Sequence, residues 1–148
     1  MRMAWEKLAF LHWRIPAENL RPLIPADLEL DTFDGSAWLA VVPFEMNDVG
    51  ARGLPGLPTT NRFLELNVRT YVKLNGKSGV WFFSLDAESW LSVRGARMGF
   101  HLPYFDAEMR MSEGADVAYY SRRTHDGAAP AKFRAIYQPS GDVFTAQP

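Results

Sequence analysis

The chain has 148 residues, a net charge of −1 and a pI near 6.3. That length suits one domain, residues 1–148, able to bury roughly two thirds of its unfolded surface. No basic excess exists to hold a phosphate backbone, which argues against nucleic acid. The absence of Cys excludes disulfides, thiolate nucleophiles and cysteine metal sites. No run reaches the ~18 apolar residues of a membrane helix, and Met1–Phe10, with Arg2, Glu6 and Lys7, lacks a signal-peptide core. A cytoplasmic protein with no membrane partner is the expectation. Aromatic residues make up 14%, including 5 Trp and 10 Phe, which favours β-structure around a thick core or pocket.

In chain order, Leu8–Ile15 reads as a strand. Pro16 can open a helix at its first position, and Ala17–Leu23 is that helix, limited by Pro22 and Pro25. Leu28–Phe33 and Ser36–Met46 are strands joined by an Asp34-Gly35 turn, with Pro43 predicting a bulge or an edge. Asn47–Thr60, with three Gly and two Pro, is a long loop, either a functional lid or a surface excursion. Ala87–Met98 is a helix or helix-containing crossover burying Trp90, Leu91 and Val93. Strands follow at Tyr104–Met111, Val117–Thr124 and Ala131–Gln138. About eight strands and two short helices predict a mainly β (α+β) fold, an antiparallel twisted sheet or barrel.

The central hairpin, Asn61–Asp86, is the most informative segment. Asn75-Gly76 suits a two-residue type I′ turn, because both residues need positive φ. A flat ladder then places Tyr71 opposite Val80, Arg69 opposite Phe82, Asn67 opposite Ser84 and Glu65 opposite Asp86. Side chains alternate across a sheet. One face takes Leu64, Leu66, Val68, Thr70, Val72, Trp81, Phe83 and Leu85. The other takes Glu65, Asn67, Arg69, Ser84 and Asp86, framed by Phe63, Tyr71, Val80 and Phe82. This second face is either a ligand-binding wall or a wet, structural one. Opposed carboxylates about 5 Å apart do not both ionise comfortably in a cavity, so Glu65 and Asp86 would supply an acid beside a base unless Arg69, Arg94 or Arg97 neutralises them.

Other chemistry is weakly marked. His12, His101 and His125 lack ligand spacing, so no metal is expected; His12 reads as a hydrogen-bonded strand histidine, and His101 can approach a cavity. No G-x-S-x-G surrounds Ser84 or Ser92, and no phosphate-binding glycine motif occurs, so no cofactor is expected. Arg122-Arg123 reads as a solvated strand end.

Several segments together resemble the YqjF-like family of uncharacterised bacterial proteins, distantly related to acetoacetate decarboxylase. They are L-H-W-R-I-P at Leu11–Pro16, L-R-P-L-I-P at Leu20–Pro25, L-E-L-D-T-F-D-G-S-A-W at Leu28–Trp38, V-P-F at Val42–Phe44, F-L-E-L-N-V-R-T-Y-V at Phe63–Val72, G-V-W-F-F-S-L-D at Gly79–Asp86 and L-P-Y at Leu102–Tyr104. The resemblance implies a barrel-like sheet around a small-molecule cavity. Family members run past this C-terminus, so it also implies a short version or a fragment lacking C-terminal strands. An unpaired sheet edge invites self-association, and a homo-oligomer is the expected assembly. The decarboxylase uses a lysine amine placed directly after a Pro, activated by a neighbouring cation. Here Tyr104 follows Pro103, and Lys7, Lys73, Lys77 and Lys132 include no adjacent pair.

These readings converge on a small-molecule-binding protein whose ligand is a small organic acid or carbonyl compound. Glu65, Arg69 and Tyr104 are the candidate catalytic residues. Phe63, Asn67, Tyr71, Phe82, Ser84, Asp86 and His101 are the candidate ligand contacts. Two alternatives stand beside it: an enzyme of the decarboxylase superfamily with altered, non-Schiff-base acid/base chemistry, and a structural or interaction protein.

Overall fold

The computed structural model describes residues 2–50, 62–88 and 102–142. Among them nine strands form one curled sheet: β1 Arg2–Glu6, β2 Leu11–Ile15, β3 Glu29–Leu30, β4 Ala37–Gly50, β5 Arg62–Leu74, β6 Lys77–Ala87, β7 Tyr104–Glu113, β8 Val117–Arg123 and β9 Lys132–Tyr137. The order is β1-β4-β5-β6-β7-β8-β9, with β2 on β4 and β3 on β5. One short helix, α1 (Ala17–Leu20), runs into a 3-10 turn at Arg21–Leu23, with Pro16 as its N-cap and not inside it. The mainly β, half-barrel-like architecture agrees with the sequence.

Several local expectations are corrected. The sheet is mixed, because β6 and β7 pair in parallel. Parallel neighbours need a crossover of a dozen or more residues, and the chain between Ala87 and Tyr104 supplies that length. The segment read as a 47–60 loop begins as strand, since β4 continues to Gly50 along β1. The helix expected at 87–98 falls mostly outside the described residues, apart from Ala87, which ends β6, and Glu88, whose N–H donates to the Leu64 carbonyl at 3.1 Å. The turn at Asp34-Gly35 forms, with φ values of 52° and 69°, but a single bridge, Phe33 to Ser36, closes it. No longer hairpin follows from it, because β3 shrinks to Glu29–Leu30 and pairs with β5. Pro43 sits mid-strand without a bulge. Its carbonyl accepts from the Ala9 N–H at 3.2 Å, so its missing N–H faces the gap between β1 and β2 and costs β5 no ladder bond.

The core lies on both faces of β4 and β5. On one, Ala40, Val42, Phe44, Met46, Phe63 and Ala87 pack together with Leu8 and Tyr104. On the other, the curl brings Ala107, Met109 and Tyr119 onto Leu64 and Leu66. The Tyr119 hydroxyl donates to the Glu65 carbonyl at 2.8 Å, which ties β8 to the centre of β5.

Candidate functional site

Asn75 and Gly76 have φ values of 52° and 75°, the two positive angles of a type I′ turn. The register near the turn is the expected one: Tyr71 pairs with Val80 and Arg69 with Phe82. Beyond Arg69 it shifts. Phe83 is an extra residue on β6, so Val68 pairs with Ser84, Asn67 with Leu85, Leu66 with Asp86 and Glu65 with Ala87. A bulge of this kind moves every later side chain to the opposite face. Ser84 and Asp86 therefore leave the Glu65 face, and Leu85 joins it. The opposed Glu65–Asp86 pair does not form.

Asp86 has a structural setting instead. It is 3% exposed, and Arg123 donates to its Oδ1 through Nε at 3.0 Å and Nη2 at 2.7 Å. Burial pushes the Asp86 carboxyl up, and Arg123 offsets part of that push. The Arg123 guanidinium also lies 4.2 Å from the Phe105 ring centre. Arg123 is thus a mostly buried partner, its side chain 12% exposed, and not a solvated strand end. Nothing in the dipeptide Arg122-Arg123 marks the difference.

What remains is a stripe on one face. Two rows run across the strands: Phe44–Glu65–Ala87–Asp106 and Val42–Asn67–Leu85–Tyr104. A third, His12–Ala40–Arg69–Phe82, starts from β2. Glu65 and Asn67 are 2% and 3% exposed. Tyr104 donates to Glu65 Oε2 at 3.2 Å, and the Asn67 side chain also hydrogen-bonds that carboxyl. Burial raises the Glu65 pKa to about 7, with the two hydrogen bonds pulling the other way. Burial also raises the Tyr104 pKa, assisted by the charge and hydrogen bond of Glu65. Phe63 is buried beside them in the core.

Arg69, two residues beyond Asn67, is half-buried. Its guanidinium carbon lies 5.3 Å from the Phe10 ring centre and 5.9 Å from that of Tyr71. Among the described residues no carboxylate forms an ion pair with it, and its buried Nε and the Oδ1 of Asn67 have no hydrogen-bond partner. A donor and an acceptor thus stand unsatisfied side by side on one strand, a costly arrangement for the fold alone. Two further residues belong to this face. His12 meets the Tyr71 hydroxyl at 2.7 Å, as its strand position suggested. Asp106, in the Glu65 row, holds His125 Nδ1 at 2.7 Å; alternation with Tyr104 along β7 could have found it. His101 lies outside the described residues.

No described group of His, Asp or Glu could hold a metal ion, and no described helix is long and apolar enough to cross a membrane. Lys7 bonds Glu45 and Glu113, and Lys73 bonds Asp31 at 2.7 Å. Lys77 and Lys132 are exposed on β6 and β9. Among the described residues no lysine stands beside Glu65.

Comparison with known proteins gives a consistent picture. The family model DUF2071, described as an uncharacterized conserved protein, matches residues 2–148. The chain is 46% identical over 148 residues to the uncharacterized protein YqjF of Bacillus subtilis, covering 99% of this chain and 60% of that protein. Solved structures share the fold. Acetoacetate decarboxylase from Legionella pneumophila matches with a TM-score of 0.55 at 13% identity, over 83% of this chain and 44% of that one. The enduracididine biosynthesis enzyme MppR, complexed with pyruvate, matches with a TM-score of 0.59 at 12% identity, over 81% and 50%. An acetoacetate decarboxylase-like enzyme from Sphingomonas wittichii matches with a TM-score of 0.54 at 16% identity, over 84% and 52%. The chain thus spans about half to three fifths of the length of these proteins.

Proposed function

The chain belongs to the DUF2071 family of uncharacterized conserved proteins, and from that premise we propose that it binds a small organic acid or carbonyl compound on the β5 stripe. The observation that carries this is Arg69, a half-buried cation with no anionic partner among the described residues, held against two aromatic rings. A carboxylate supplies what it lacks. Arginine suits the task because its planar fork takes a carboxylate with two parallel hydrogen bonds. Asn67 Oδ1 stands beside it without a partner, and Tyr104 and Glu65 close the inner end. The pyruvate complex of MppR supports a short 2-oxo acid as the class of probe.

Isothermal titration with pyruvate and with acetoacetate tests this directly. Arg69→Met is expected to weaken binding about 10- to 100-fold, the worth of a charge-assisted contact. Glu65→Gln is expected to change both the affinity and its pH dependence. Affinities unchanged in both variants would overturn the reading.

A second reading is favoured by the Glu65 pKa of about 7. An acid poised near neutral pH suits general acid/base work. In it Glu65 moves the proton and Arg69 clamps the carboxylate; Tyr104 follows Pro103 where the decarboxylase-type enzymes carry their amine, so imine chemistry has no nucleophile there. Deuterium exchange into the methyl group of pyruvate, followed by NMR, should occur with the native protein and be lost in Glu65→Gln. A purely structural role, which expects Glu65 in bulk water, is not supported by its 2% exposure.

A further inference from the structure

We infer that the acid held at Arg69 carries an aryl group, which rests on a shelf of rings at the outer end of the same face. This deepens the carboxylate reading and rests on it. The third row of the sheet places His12, the small Ala40 and Arg69 side by side. Ala40 is fully buried and raises only a methyl group between its neighbours, which leaves room for rings beside it. His12 stacks on Tyr71 at 5.9 Å and 15°, and on Phe10 at 6.1 Å and 23°. Trp38 meets His12 edge-on at 6.4 Å. Phe10 and Tyr71 are the two rings that carry the Arg69 guanidinium.

Where the Arg69 contacts end, at Tyr71, a depression of about 350 Å³ begins, lined by Tyr71, His12, Trp38, Phe33, Asp31 and Thr32. That volume lies at the small end of ligand sites and suits a single ring. Its chemistry selects against a cation, because Asp31 already pairs with Lys73 at 2.7 Å and accepts from Ser78 at 3.1 Å. Phe33 is 74% exposed, so the fold itself makes little use of its ring. The Trp38 indole N–H donates to the Phe33 carbonyl at 3.3 Å and fixes that wall. A flat apolar group joined to a carboxylate fills both halves: offset or edge-on ring contacts in the depression, and an ion pair at Arg69.

The test compares phenylpyruvate with pyruvate by calorimetry on the full chain at pH 6. Phenylpyruvate is expected to bind about tenfold tighter or better. Phe33→Ala and, separately, Trp38→Leu should erase most of that gain. Equal affinities for the two acids would overturn the aryl inference and leave the carboxylate reading standing. A gain that survives both variants overturns the shelf as its cause. Phenylpyruvate binding that Arg69→Met does not weaken overturns the carboxylate reading, and the inference with it.

Discussion

The Tyr104 hydroxyl reaches diagonally across β6 to donate to Glu65 Oε2 at 3.2 Å, from a backbone position in the Asn67 row. It keeps a polar partner on a carboxyl that is only 2% exposed and has no cation bonded to it among the described residues.

The raised pKa of Glu65 has a signed consequence for stability. Folding holds the proton that the unfolded chain releases near pH 4.5 and keeps it until about pH 7. The native state therefore binds more protons in that window, and stability falls as pH rises through it. The full effect, about 3 kcal/mol, is reached by pH 8. Glu65→Gln cannot ionise, so its melting temperature should exceed that of the native protein at pH 8, with the gap closing towards pH 4.5. Parallel melting profiles for the two proteins across this range would show that Glu65 does not carry the raised pKa.

The same titration sets the pH dependence of ligand binding. Above about pH 7 the Glu65 carboxylate shares its face with the acid proposed to bind at Arg69, and like charges in a low dielectric repel. Affinity for pyruvate should fall with rising pH beyond 7, by up to about tenfold per unit for one coupled proton. In Glu65→Gln the curve should be flat there. Titrations at pH 6, 7, 8 and 9 measure both; a native curve that stays flat contradicts the coupling.

Much of this was legible in the residues. Most of the strands, the short helix at Ala17 and the Asn75-Gly76 turn follow from alternation and turn chemistry, while β1 (Arg2–Glu6) was not anticipated; the face carrying Phe63, Glu65, Asn67, Arg69 and Tyr71 follows from β5 alone. The bulge was not legible. Phe83 is one aromatic in the run Val80–Leu85, and which of its members is left unpaired depends on packing from both faces. That single residue decides whether Asp86 meets Glu65 or Arg123. Long-range partners such as Arg123, 37 positions from Asp86, leave no local pattern.

Because Asp86 is buried and the Arg123 side chain is only 12% exposed, they should behave as a pair. Arg123→Met strands a carboxylate that is 3% exposed, which costs about 3–5 kcal/mol for a broken buried bridge. Adding Asp86→Asn should recover a large part of that loss, since the uncompensated charge goes with it. Urea denaturation of the two single variants and the double variant measures the coupling. Strictly additive losses would place the ion pair in water. Asp86→Asn should also leave pyruvate affinity unchanged, as its side chain lies on the face away from Arg69.

Gly76 tests the turn that sets the register for Tyr71 and Arg69. Its φ is 75°, and an added Cβ would meet no atom within 4 Å, so crowding makes no contribution. The cost of Gly76→Ala is then conformational, about 1–2 kcal/mol for placing an L residue in the left-handed region. Asn75, at φ 52°, already tolerates that region better than most residues, so Asn75→Gly should be close to neutral. Urea midpoints for the two variants separate the effects. A Gly76→Ala variant as stable as the native protein would mean that the turn relaxes into another type, and the pairing of Arg69 with Phe82 would have to slide with it.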